Sequence, residues 1–195
     1  MKQISVILLG MLLFSVLPAF AQESGTYDIG GLEAPVAQRE AEILVGLGLM
    51  QGTDVGLELE RPVTRAEAIT MVVRVVEGEK AAWNAERETR FLDVPISHWA
   101  SPYVSCGYQR GIIVGVSDSA FDPLRTVTGR EFAKMLLSAV GYEEITIENA
   151  YDKAKEAGLL TSEYSDKAVQ MPAYAMLRSD VARVCVAALE IKKPE

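Results

Sequence analysis

The sequence predicts a mainly α fold built from three helix-loop-helix repeats. Two stretches carry that reading: VTRAEAITMVVRVV at 63–76 and VTGREFAKMLLSAV at 127–140 share five identities in fourteen positions at a constant offset of 64. Both open with Thr-x-x-Glu, the spacing in which a threonine caps a helix and the glutamate reaches back to the cap. Their surroundings repeat as well, since GLGLMQG at 46–52 corresponds to QRGIIVG at 109–115, and Leu57 to Phe121. Units of this size cannot bury an apolar face alone, so the copies are expected to pack on one another.

The elements follow in chain order. Residues 1–21 combine Lys2, an apolar run from Ile4 to Leu17 and the ending Ala19-Phe20-Ala21, the pattern of a secretory signal peptide cut before Gln22. The run is too short to span a membrane comfortably, which disfavours a retained anchor. A lead-in at 22–34 precedes repeat 1 at 35–78, a charged linker at 79–90, repeat 2 at 91–142, a degenerate repeat 3 at 143–190 and a tail at 191–195. In each copy a first helix is expected to close at a glycine, Gly48, Gly111 or Gly158. The second helix starts at Thr64 or Thr128. In the third copy LRSDVARVCVAAL at 177–189 keeps the helical apolar spacing and an acid at Asp180, but Leu177 replaces the threonine. The linker EGEKAAWNAERETR at 77–90 reads as a helical extension or an exposed connection.

Composition narrows the function. Removing residues 1–21, which hold Lys2 and no acid, takes the net charge from −8 to −9, a field that repels nucleic acid and anionic lipid. An acidic ligand would have to be met by local arginines. Two cysteines, Cys106 and Cys185, permit one disulfide or two buried thiols, and their apolar helical settings favour thiols. With His98 as the single histidine and no CxxC, no Cys/His zinc site and no other cofactor is expected. There is no GxSxG, phosphate loop, HExxH or dinucleotide fingerprint. Glu67 and Glu131 could suggest a glycosidase pair, but their repeated cap position explains them without chemistry. No catalytic residue is therefore assigned.

Further motifs sharpen the reading. The second copy has FLDV at 91–94, WA at 99–100, GIIVG at 111–115, FDP at 121–123 and VTGREFAKMLL at 127–137, and the first supplies VTRAEA at 63–68. Over about 35–190 the chain resembles the S-layer homology domain. That resemblance implies three repeats packed as a pseudo-threefold bundle. It also implies a secreted, non-catalytic module of the bacterial cell surface that binds a secondary cell-wall polysaccharide non-covalently. The alternative is an envelope protein whose repeats no longer bind sugar and instead contact other envelope proteins.

By the same resemblance Arg65, Asp93 and Trp99 are candidate polysaccharide-binding residues. Arg130 stands one place off the motif arginine, where Gly129 sits, and Arg178 is in register in the third copy. Physically, a guanidinium at a helix N-terminus suits a carboxylate or phosphate. Pairing of Arg65 with Glu67 or another acid is an equal alternative. Trp99 could stack on a sugar face, but filling the space between helices is the commoner use of tryptophan. Asp93, two residues before Pro95, is expected to cap a turn or helix. His98 is expected at the surface.

Overall fold

Among the described residues seven helices form in chain order, each placed by local signals. They are α1 (Gln38–Gly46), α2 (Arg65–Val76), α3 (Glu79–Asn84), α4 (Ser101–Gln109), α5 (Gly129–Val140), α6 (Ala150–Glu156) and α7 (Arg178–Glu190). The computed structural model describes residues 37–85, 90–160 and 175–191. The expected signal peptide, the lead-in and parts of the linker, the third repeat and the tail lie outside the described residues. Among the described residues no helix is long and apolar enough to cross a membrane.

Both expected capping boxes form. Thr64 Oγ1 accepts from Glu67 N at 3.3 Å while Glu67 Oε2 accepts from Thr64 N at 2.9 Å, and Thr128 with Glu131 repeats the pattern at 3.3 and 3.0 Å. In the third copy only half survives. Asp180 accepts from Leu177 N at 2.9 Å, but Leu177 has no side-chain oxygen to return a bond. The first helices close as the glycines predict: Gly48, Gly111 and Gly158 take φ of 71°, 69° and 75°. After each, Leu49 N, Ile112 N or Leu159 N reaches back to Leu44 O, Gly107 O or Ala154 O at 2.8, 2.8 and 2.9 Å, satisfying carbonyls that a helix end leaves open.

The tertiary contacts are not those of three self-contained hairpins. The first helix of each copy packs on the second helix of a different copy: α1 on α7, α4 on α2 and α6 on α5. Helix α2 also contacts α3, α5 and α7, and Arg65, Ala66 and every residue from Ala68 to Val73 are buried by them. Between the copies the chain segments just before the second helices meet in a closed ring of backbone bonds. Val127 N donates to Val63 O at 2.9 Å, Met176 N to Val127 O at 2.9 Å, and Val63 N to Met176 O at 2.8 Å. One apolar cluster, with Phe121, Phe132, Leu44, Ile69 and Leu136 fully buried, runs through all seven of these helices. Cys106 and Cys185 are free, buried thiols in it, and burial pushes Cys185 up to about 12.

The linker is in part helical, as α3. It is inserted against α2 and α4 with Ala82 fully buried.

Candidate functional site

The junction between the first and second copies is built around the loop 119–125. Residues Leu57 and Phe121 occupy equivalent places, and the residue after each, Glu58 or Asp122, has a left-handed φ of 48° or 61°. Such a conformation is uncommon outside glycine and marks a backbone that its surroundings hold in place. Asp93 is one of those surroundings. Its Oδ1 accepts from Phe121 N at 2.9 Å and its Oδ2 from Asp122 N at 2.7 Å. It therefore clamps a loop 28 and 29 residues away, a tertiary role beyond the local one read from its place before Pro95.

Arg65 enters the same loop from the first turn of α2. Its Nε donates to Phe121 O at 2.9 Å, its Nη2 to Val114 O at 3.3 Å and its Nη1 to Glu131 Oε1 at 3.3 Å. The guanidinium lies 4.6 Å from the centroid of the Phe121 ring, which in turn packs on Phe91. Only 5% of the residue is exposed. Burial, offset in part by Glu131, pulls its pKa below the ordinary arginine value. The partner acid is Glu131 of the next copy, not Glu67. The backbone joins in, with Arg65 N donating to Arg125 O at 2.9 Å and Ala66 N to Pro123 O at 3.1 Å.

Arg178 repeats this arrangement at the junction between the third and first copies. Its Nε donates to Leu57 O and its Nη2 to Gln51 O, both at 2.8 Å. Arg178 N and Ser179 N donate to Arg61 O and Leu59 O at 3.0 and 2.9 Å. The motif arginine thus acts in two copies as a strut to the neighbouring copy. Where Gly129 replaces it, an apolar recess opens instead, lined by Phe132, Tyr151, Leu160, Met176 and Val184. Arg130, one place on, is exposed, and its charge acts on Glu148.

The structure therefore brings Arg65 and Asp93 to one loop and leaves Arg178 and Arg130 elsewhere. Trp99 is 56% exposed, which corrects the expectation that it fills the core. Its ring stacks on His98 at 5.8 Å and 28°. His98 is half-buried, and its Nδ1 accepts from Ala100 N at 3.1 Å at the start of α4, which fixes the loop that presents Trp99.

Two further pairs were not singled out from the sequence. Arg125 holds Glu131 through Nη2 at 2.5 Å and Nη1 at 3.2 Å, and Arg61 holds Glu67 through Nη2 at 2.6 Å and Nη1 at 3.1 Å. The same offset of 64 that relates the capping boxes also relates these arginines and the acids Glu58 and Asp122. Extending the 63–76 window upstream by five residues, to 58, reaches them.

The two capping glutamates carry a pH dependence. Burial pushes the Glu67 and Glu131 carboxyls up, but hydrogen bonds from Arg61 or Arg125 and from the Thr64 or Thr128 amide outweigh it and leave both below the usual value. A carboxyl lowered on folding stabilises the fold above its unfolded pKa and loses that contribution as pH falls through the folded value. The urea midpoint should hold from pH 7 to about 5 and then fall. Glu67→Gln with Glu131→Gln should flatten that fall, and a midpoint unchanged down to pH 3 in the parent chain would refute the assignment. Since capping and ion pairing engage both carboxylates, the glycosidase pair has no support in this geometry.

Comparison with known proteins agrees with the motifs. Residues 90–133 match the S-layer homology domain family. Similar proteins include a "Cell surface protein" of Thermoanaerobacter kivui, 32% identical over 82% of this chain and 21% of that protein. A "Middle cell wall protein" of Brevibacillus brevis is 28% identical over 97% of this chain and 18% of its own length. A "Surface layer protein" of Brevibacillus choshinensis is 31% identical over 73% of this chain and 13% of its own. The chain thus spans about a fifth or less of the length of these relatives.

Proposed function

We propose, from the premise that this chain carries an S-layer homology domain at 90–133, that it is a non-catalytic cell-surface module that holds non-covalently to a cell-wall polysaccharide. The domain and the surface and cell-wall names of the relatives support a cell-surface, cell-wall-associated place for it. The observation that carries the finer reading is Trp99, left 56% exposed on a loop fixed by His98. An indole held in one orientation offers a flat apolar face to a pyranose ring at low cost in ordering. Arg65 and Asp93 support the site by holding the loop at Phe121, where Arg125 is partly exposed but already paired with Glu131 and Asp122.

A second reading is a protein partner in the envelope. Its support is the exposed apolar set Leu92, Ile96, Val114 and Leu124 in the same copy as Trp99.

Co-sedimentation with purified sacculi separates the two. The chain should bind sacculi stripped of surface proteins, lose binding once the non-peptidoglycan polymer is removed, and weaken about tenfold in Trp99→Ala, the equivalent of 1.4 kcal/mol. Equal binding before and after polymer removal, or none to either, would end the polysaccharide reading. Binding abolished by stripping surface proteins would favour the partner protein.

A further inference from the structure

The chain has two tryptophans, and neither is in the core. Trp83 is 52% exposed on α3, the helix that the linker contributes outside the repeats. A tryptophan is on average largely buried, so an indole left half in water, with on the order of 100 Å² exposed, calls for a reason. Alanines carry the buried side of the helix. Ala82 is fully buried and Ala81 and Ala85 pack against the core, while Lys80, Trp83 and Asn84, spaced i, i+3 and i+4, are all exposed along one face.

The ring is nonetheless fixed. Trp83 Nε1 donates to Glu79 Oε1 at 3.1 Å, and the same carboxylate accepts from Tyr103 Oη of α4 and, through Oε2 at 2.7 Å, from Arg74 Nε of α2. Arg74 Nη2 also donates to Tyr103 Oη at 2.9 Å, closing the network across three helices. Burial alone would raise the Glu79 carboxyl, but the bonds from Tyr103, Arg74 and Trp83 keep it below its usual value, so it stays an ionised anchor. Ordering a large side chain while leaving about half of it in water gives up rotamer freedom for only part of the burial available, which is what a preorganised contact does.

We propose that the Lys80–Trp83–Asn84 face of α3 is a second glycan contact, separate from the Trp99 loop. The Trp83 indole stacks on a pyranose ring, Asn84 bonds a hydroxyl and the Lys80 ammonium meets an acidic substituent of the same polymer. This rests on the polysaccharide reading above. A sugar fits this face better than a protein does, because a protein hot spot sits inside an apolar surround that excludes water, and here the exposed positions one turn back and one residue on along the helix are a cation and an amide.

The two tryptophans make the test direct. In a Trp99→Phe chain Trp83 is the sole indole, and in a Trp83→Phe chain Trp99 is. Each is titrated with the non-peptidoglycan polymer released by acid from purified sacculi, with dextran as the uncharged control. Trp83 emission should change saturably with the released polymer and not with dextran, and Lys80→Ala should raise the half-saturation concentration about tenfold without moving the thermal midpoint. A response of Trp99 with none of Trp83 would overturn the second contact and leave the first standing. Silence of both indoles, together with no sedimentation on sacculi, would overturn the polysaccharide reading and this contact with it. A Trp83 response to a surface-protein extract in place of the polymer would also overturn it.

Discussion

Arg65→Ala is expected to lower stability by about 3 kcal/mol, a fall in thermal midpoint on the order of 10 °C for a domain of this size. The side chain donates to Phe121 O, Val114 O and Glu131 Oε1 and lies over the Phe121 ring, with 5% of the residue exposed. Truncation leaves the buried Phe121 carbonyl and the part-buried Val114 carbonyl without this donor and opens a space beside a ring packed on Phe91. Lysine should not rescue it, because a single ammonium cannot span three acceptors that a planar guanidinium reaches together. Arg130→Ala, at an exposed position, should stay within about 0.5 kcal/mol of the parent. Urea unfolding of the four chains decides the matter. If Arg65→Ala unfolds with the parent and loses only wall binding, Arg65 is a ligand contact and the strut is wrong.

That result bears on how binding data are read. A loss of wall association in an Arg65 variant would follow from a loosened loop at 119–125, whether or not the guanidinium meets the polymer. Trp99→Ala and Lys80→Ala, at exposed positions, test contact without that confusion.

The sequence made the local chemistry legible and left the partners obscure. Thr64 with Glu67, and Thr128 with Glu131, lie within one helical turn, so spacing alone predicts that they bond each other. The glycine closures at 48, 111 and 158 are equally local. By contrast, Ala41 and Leu44 show that α1 has an apolar face but not which helix receives it, and that helix proves to be α7 at the other end of the chain. Arg65 has the same limitation. Its position on α2 follows from VTRAEA, whereas its acceptors at Val114, Phe121 and Glu131 are set by how another copy docks. Asp93 reads locally as a cap before Pro95, yet it bonds amides brought near by tertiary packing. For Trp99 the aromatic and apolar neighbours favour burial, but Phe91, Val94 and Ala100 take the inward places around it and leave the indole outside.

Gly115→Ala, the last residue of GIIVG, is expected to cost about 3 kcal/mol or more, at the upper end of what overpacking does. A Cβ there would stand 2.4 Å from Ser117 O, 2.5 Å from Phe91 Cε1 and 2.6 Å from Ala120 O. Two of the three are backbone oxygens of one tight loop, held by Val116 N donating to Ala120 O at 2.8 Å, so they cannot swing away as a side-chain end could. Phe91 cannot yield freely either, with Tyr108 at 5.3 Å on one side and Phe121 at 5.7 Å on the other. Relief must therefore pass into Phe121, whose carbonyl and ring seat Arg65 and whose amide is held by Asp93. Two consequences separate this from a generic glycine effect. Gly46→Ala, where nothing lies within 4 Å of the added carbon, should be neutral or slightly stabilising. Gly115→Ala combined with Arg65→Ala should cost clearly less than the two alone added together, since both act through the same ring and loop. Additive losses by urea unfolding would mean that the close approach at Gly115 and the strut at Arg65 are independent, and that the junction is not one unit.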